Sequence, residues 1–205
     1  MILETIPTGP LEVNCYLIGC ENSRHIFVVD PGDDADRIIT MIANLRLIPQ
    51  AVIATHGHLD HLGDIKTVQE RFNIPFWIHS DDAPLVAALP AQATAFGLHL
   101  SGIPVIDRHL EHDQFLPLGD MEWRIIHTPG HSPGSICLQS DLTLLSGDTL
   151  FAGSVGRCDL PGGDWTRLQE SIRTRLLTLD ESTVVYPGHG TSTTIGAEKS
   201  DNPFL

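Results

Sequence analysis

Four residues able to bind a metal ion stand within six positions of this sequence: His56, His58, Asp60 and His61, in the run His56-Gly57-His58-Leu59-Asp60-His61. In an extended segment alternate side chains point the same way, so His56 and His58 can grip one ion. Asp60 and His61 lie where the chain turns into a following helix, and they can face a second ion beside the first. Three more residues of the same types come later: His131, Asp148 and His189. His131 can complete the first set and His189 the second, and the Asp148 carboxylate can bridge the two ions. Seven such ligands around an open position describe a catalytic site better than a closed structural one. The chemistry this implies is activation of water. Two divalent ions about 3.5–4 Å apart can share a hydroxide and bring its pKa near 7. The expected cofactor is therefore two divalent metal ions per chain, zinc foremost, with iron or manganese as alternatives. Asp60 is the expected catalytic residue, since it can orient the nucleophile as well as bind metal.

Each ligand motif follows a short apolar strand. Ala51–Thr55 runs into His56, Arg124–Ile126 leads through Thr128-Pro129-Gly130 to His131, Leu142–Leu145 leads to Asp148, and Val184–Tyr186 leads through Pro187-Gly188 to His189. A sheet fixes the ends of its strands while the loops beyond leave room for substrate. Pro-Gly-His occurs twice, and Pro and Gly would set tight turns that aim each imidazole off the sheet. The remaining pattern predicts strands over Ile2–Ile6, Val13–Cys20, His25–Asp30 and Phe76–His79. Helices are predicted over Asp34–Leu47, His61–Phe72 and Thr166–Leu179, with Asp82 capping a helix through Leu89. Residues 91–113 read as loop with one strand at Val105–His109. Strands mixed with helices point to two sheets with helices packed outside.

Composition narrows the partners. The chain has 205 residues, with 12 Lys plus Arg against 26 Asp plus Glu, for a formal charge of −14. That balance disfavours nucleic acid and anionic membranes, and no protein partner is predicted. No apolar run approaches the roughly 20 residues a membrane helix needs. The N-terminus, Met1-Ile2-Leu3-Glu4-Thr5, does not resemble a signal peptide, so the expected location is cytoplasmic and the expected state of the four cysteines is reduced. Cys158 is the one to watch, in a Gly-rich loop beside Arg157. His25, His79, His99, His109, His112 and His127 read as packed or surface residues.

Thr55-His56-Gly57-His58-Leu59-Asp60-His61 resembles the T-H-x-H-x-D-H signature of the metallo-β-lactamase superfamily, and Thr128-Pro129-Gly130-His131, Gly147-Asp148 and Pro187-Gly188-His189 resemble its later motifs in order. The resemblance spans nearly the whole chain. It implies an α/β fold, a four-layer αββα sandwich, as a single domain over residues 1–205. It implies His56, His58 and His131 on one ion, Asp60, His61 and His189 on the other, and Asp148 between them. Asp30, before Pro31-Gly32, resembles an early aspartate that supports a ligand imidazole. Gly147-Asp148-Thr149-Leu150-Phe151 with Gly156-Arg157 is similar to the glyoxalase II group, which hydrolyses the thioester S-lactoylglutathione. There Arg157 would hold a glutathione carboxylate, and the partner would be a small glutathione thioester. Sixteen residues follow His189, so the helical C-terminal domain of larger glyoxalase II enzymes is expected to be missing. An iron-dependent persulfide dioxygenase of the same fold is the alternative. A β-lactamase is disfavoured by Asp148, which stands where the secreted lactamases place a cysteine.

Overall fold

A computed structural model describes residues 1–205. In chain order the first six strands are β1 (Ile2–Thr8), β2 (Val13–Gly19), β3 (His25–Val29), β4 (Ile48–Ile53), β5 (Phe76–His79) and β6 (Ile106–Leu110), and they form one sheet in that order. The second sheet holds β7 (Phe115–Leu118), β8 (Met121–His127), β9 (Ile136–Ser140) and β10 (Thr143–Gly147). A small hairpin follows, β11 (Leu150–Phe151) with β12 (Ser154–Val155), and then β13 (Val184–Pro187) and β14 (Thr193–Thr194). The order of the second sheet is β14-β13-β10-β9-β8-β7. Pairing is antiparallel from β1 to β3 and parallel from β3 to β6. The parallel steps need crossovers, and these are helical: α1 (Ala35–Asn44), then α2 (Leu59–Leu62) with α3 (Ile65–Phe72), then α4 (Ala83–Ala87) with α5 (Leu89–Phe96). After the hairpin come α6 (Trp165–Ser171), continued by a π-helical turn over Ile172–Leu176, and finally α7 (Ile195–Asp201).

The strands sort their side chains by alternation. In β2, Tyr16 and Ile18 face the second sheet while Leu17 faces the helices. In β3, Phe27 and Val29 face inward and Val28 outward; in β8, Ile125 faces inward and Ile126 outward. The result is three stacked cores. One lies between the first sheet and α1–α5, one between the sheets around Trp123 and Phe27, and one between the second sheet and α6–α7. This is the four-layer sandwich the resemblance implies.

Several local expectations need correction. Within residues 91–113 the expected strand is present as β6 and 97–105 is loop, but 91–96 is helical, because α5 continues to Phe96. Pro90 in its first turn and Gly97 beyond its end, at φ 65°, are its start and stop signals. The helix expected over His61–Phe72 is broken at Gly63–Asp64, where the Asp64 carboxylate turns away to accept a hydrogen bond from the amide of Ala35. Asp82 stands at the N-cap position of α4 as expected, but its side chain makes no capping hydrogen bond; its carboxylate binds elsewhere, as described below. β7 was not foreseen, since Pro117 interrupts it, but it is an edge strand, where a missing N–H costs nothing. No helix is long and apolar enough to cross a membrane.

Candidate metal centre

The chain reverses just beyond the C-terminal ends of β4, β8, β10 and β13, and there the seven residues singled out from the sequence converge. Nε2 of His131 lies 2.9 Å from Nδ1 of His58 and 3.2 Å from Nε2 of His56. Beside this trio, His61 Nε2 stands 3.4 Å from Asp148 Oδ1 and 3.9 Å from Asp60 Oδ2. His189 Nε2 stands 3.5 Å from Asp60 Oδ2 and 3.6 Å from Asp148 Oδ2. Asp148 Oδ2 also lies 3.6 Å from His131 Nε2, so this one carboxylate touches both groups.

In four of the five rings the outer nitrogen fixes which way the lone pair points. His131 donates its Nδ1–H to the carbonyl of Arg157 at 2.7 Å, and His189 donates its own to the carbonyl of Leu11 at 3.0 Å. His61 Nδ1 meets Asp30 Oδ2 at 3.0 Å, and His56 Nδ1 meets Thr55 Oγ1 at 3.0 Å. Thr55 in turn donates to Asp30 through both its hydroxyl and its amide. Asp30 therefore ties β3 to two of the inward-facing imidazoles, and it adopts a left-handed φ of 53° to do so. Four rings are left with Nε2 inward and His58 with Nδ1, a common device for orienting metal ligands.

The residues fit a pair of ions. Tetrahedral nitrogen ligands at ~2.0–2.1 Å from zinc lie roughly 3.3 Å apart, close to the spacings of the first trio. His58 Nε2, His61 Nε2 and Asp148 Oδ1 are buried without any hydrogen-bond partner. Buried polar atoms are rarely left so, and an ion would satisfy two of these three atoms, His61 Nε2 and Asp148 Oδ1. Burial, reinforced by neighbouring imidazoles, holds His56 well below the usual histidine range and His58 at about 4, so both rings keep their lone pairs at neutral pH. Against the opposing effect of burial, His61, His131 and His189 hold the Asp148 carboxyl well below the usual carboxylate range. His56 and His58 are thus neutral donors beside the anionic Asp148, while, against the opposing effect of burial, Asp148 and Asp60 push His61 and His189 up.

Two glycines make the convergence sterically feasible. A Cβ at Gly188 would overlap Asp148 Oδ1, and one at Gly156 would overlap the Asp148 carbonyl. A further group, His79, Asp81 and His127, brings three donor types together elsewhere. Its two rings stack at 3.9 Å and 13° from parallel. An ion must lie in the plane of each ring it binds, which two stacked planes do not allow, so these histidines remain packing residues.

The chain belongs to the metallo-beta-lactamase superfamily. The family model matches residues 8–189. Hydroxyacylglutathione hydrolase GloC of Haemophilus influenzae is 38% identical over 209 residues, covering 100% of this chain and 98% of that one. Among solved structures, BLEG-1 B3 metallo-beta-lactamase superposes with a TM-score of 0.92 at 38% identity, over 100% of this chain and 99% of that chain. TTHA1623 in a di-iron-bound form superposes with a TM-score of 0.90 at 38% identity, over the full length of both. The superfamily is hydrolytic, and the His and Asp clusters of this chain suit a dinuclear metal site.

The site opens into a cavity of about 470 Å³. Arg157 lines it, with its Nε and Nη2 on the Asp159 carboxylate at 2.6 and 2.7 Å. Sequence reading missed three contributors. Asp82, fully buried, accepts from the amide of Gly57 at 2.7 Å, the hydroxyl of Ser132 at 2.6 Å and the amide of Gly134 at 2.6 Å. Gln92 on α5 accepts from the amide of Leu59 and donates to the carbonyl of Gly57, bracing the same turn from the other side. Leu11, in the β1–β2 turn, holds His189 through its carbonyl. None carries a local motif; only the Pro90 and Gly97 punctuation of α5 could have pointed to Gln92.

Proposed function

We propose that this chain is a metal-dependent thioester hydrolase acting on hydroxyacylglutathiones, with S-lactoylglutathione as the type substrate. His56, His58 and His131 would hold one divalent ion, and Asp60, His61 and His189 a second, with the Asp148 carboxylate available to both. The observation that carries this reading is the set of inward lone pairs around two adjacent points, opening on a cavity that also contains one guanidinium. The likeness to a hydroxyacylglutathione hydrolase over the full chain supports the substrate class. The ions are zinc, with iron or manganese as alternatives.

When bound, the two ions would supply Lewis acidity toward the thioester carbonyl and lower the pKa of water toward 7. The chain's own residues do the rest. Asp60, mostly buried but lining the cavity and 3.5 Å from His189 Nε2, accepts a hydrogen bond from the attacking water and orients it. Hydrolysis forms one C–O bond to the acyl carbon and breaks the C–S bond, and the departing thiolate takes up the proton the water gives. A thiolate leaves readily, so no strong general acid is needed. Arg157 keeps Nη1 free of intrachain bonds and binds a carboxylate of the glutathione arm.

The test is metal analysis of tag-free protein paired with three assays. More than one equivalent of metal with turnover of S-lactoylglutathione supports the reading. Oxygen uptake with glutathione persulfide, or opening of a β-lactam, in the absence of thioester turnover would overturn it.

A further inference from the structure

The cavity has two unlike ends. At one end Arg157 follows Gly156 over His131, tied there by the bond from His131 Nδ1 to the Arg157 carbonyl. At the other end, Leu11, Leu59 and Leu98 surround Asp60 and share a small crevice that Arg157 does not reach. Phe96, two residues before Leu98, extends this second wall. Leu11 and Phe96 are 51% and 56% exposed, so two large apolar side chains stand open to water at the rim of a polar centre. Apolar surface left beside a reactive site marks a place where apolar ligand surface is buried. Besides Asp60 and Asp148, the titratable side chains lining the cavity are His58, His131, His189 and Arg157, and the crevice adds Asp33 and His99.

We infer that the wall of Leu11, Phe96 and Leu98 receives the acyl arm of the thioester, so that the substrates turned over best carry acyl chains longer and more apolar than lactoyl. This rests on the thioesterase reading above. With the thiol arm held at Arg157 and the carbonyl at the metal centre, the acyl arm extends away from Arg157, toward Asp60 and this wall. A chain growing along the wall removes apolar area from water on both partners. Each methylene that is buried there should raise affinity about two- to fourfold.

The experiment compares S-lactoyl-, S-acetyl-, S-butyryl- and S-hexanoylglutathione as substrates of the metal-loaded protein. In parallel, calorimetry compares binding of S-methyl- and S-hexylglutathione, which are not hydrolysed. The expected result is a kcat/KM that rises with acyl length and a tighter complex with the S-hexyl compound by tenfold or more. The Leu11→Ser, Phe96→Ser double variant, altered only at exposed positions, should flatten both series. A flat or falling series in the wild-type protein, or a slope that survives in the double variant, overturns the inference. If no thioester is hydrolysed, the functional reading fails, and the calorimetric series still decides the apolar arm: equal affinity for both S-alkyl compounds refutes it.

Discussion

Replacing Asp82 should unseat two metal-facing loops at once, although Asp82 touches neither ion position. Its carboxylate is fully buried and joins the turn after β4, through Gly57, to the turn after β8, through Ser132 and Gly134. Those partners sit beside His56, His58 and His131. Burial pushes the Asp82 carboxyl up, and the donors of Ser132, Gly134 and Gly57 pull it back. Hydrogen bonds to a charged group are worth about 1.5–3 kcal/mol each, and a buried donor left unpaired costs about 1–3 kcal/mol. Asp82→Ala strips three bonds and orphans two buried amides. Because the three bonds share one acceptor group, their losses will not simply add. A net destabilisation of ~3–5 kcal/mol follows, a large part of the roughly 5–15 kcal/mol that holds a typical domain. Asp82→Asn keeps the shape but turns an NH₂ toward at least one N–H donor, so it should cost less, about 1–3 kcal/mol. Metal affinity should fall roughly 10–100-fold in both variants, as it does when groups that orient ligands are lost. The assay is urea unfolding with and without added metal, combined with metal titration. An Asp82→Ala protein within about 0.5 kcal/mol of wild type and with unchanged metal affinity would refute the reasoning.

His58→Ala should remove a donor from the first trio and abolish thioester hydrolysis, with circular dichroism unchanged; near-normal turnover by a metal-verified variant would count against the assigned site. Arg157→Ala should raise KM for S-lactoylglutathione with kcat less affected, about a tenfold to hundredfold fall in kcat/KM, and spare a small thioester without a carboxylate. Equal losses on the two substrates would mean that Arg157 supports the loop instead. Burial, and then His127, pushes His79 down to about 4, whereas an unfolded histidine titrates near 6.5. Between those values the unfolded chain binds more protons, so stability should fall as pH drops from about 6.5 to 4, by on the order of 2–3 kcal/mol from this residue. His79→Gln should remove that share of the acid limb; an unfolding midpoint with the same pH slope in both proteins would sink the assignment.

Much of the architecture could be read from the order of side chains because the forces behind it are local or periodic. β2 and β3, buried on both faces, read as near-continuous apolar runs bounded by turn residues, and those runs are visible in the sequence. The metal-facing residues are legible for a related reason: each stands one to eight positions past the end of an apolar strand, so strand prediction and ligand prediction support each other. What escaped depends on contacts distant in sequence. Asp82 meets Ser132 across 50 residues, and Leu11 meets His189 across 178. α5 escaped because its buried face is thin, only Leu89 being fully covered, so no strong helical stripe appears.

The two Pro-Gly-His runs mark the boundary of such reading. On paper they are one motif, and both predict a turn that aims an imidazole. In the fold their glycines solve different problems. Gly130 adopts a φ of 143°, open to few other residues, and packs against the backbone of Leu168 in α6. Gly188 is not in that region of backbone space. Its lack of a side chain instead lets Asp148 Oδ1 and the ring of His61 approach the β13 turn. An alanine at Gly188 would therefore press on the carboxylate common to both ligand groups, while one at Gly130 would press on a helix. The same three letters carry a conformational requirement in one place and a clearance requirement in the other, and only the neighbours supplied by the opposite end of the chain distinguish them.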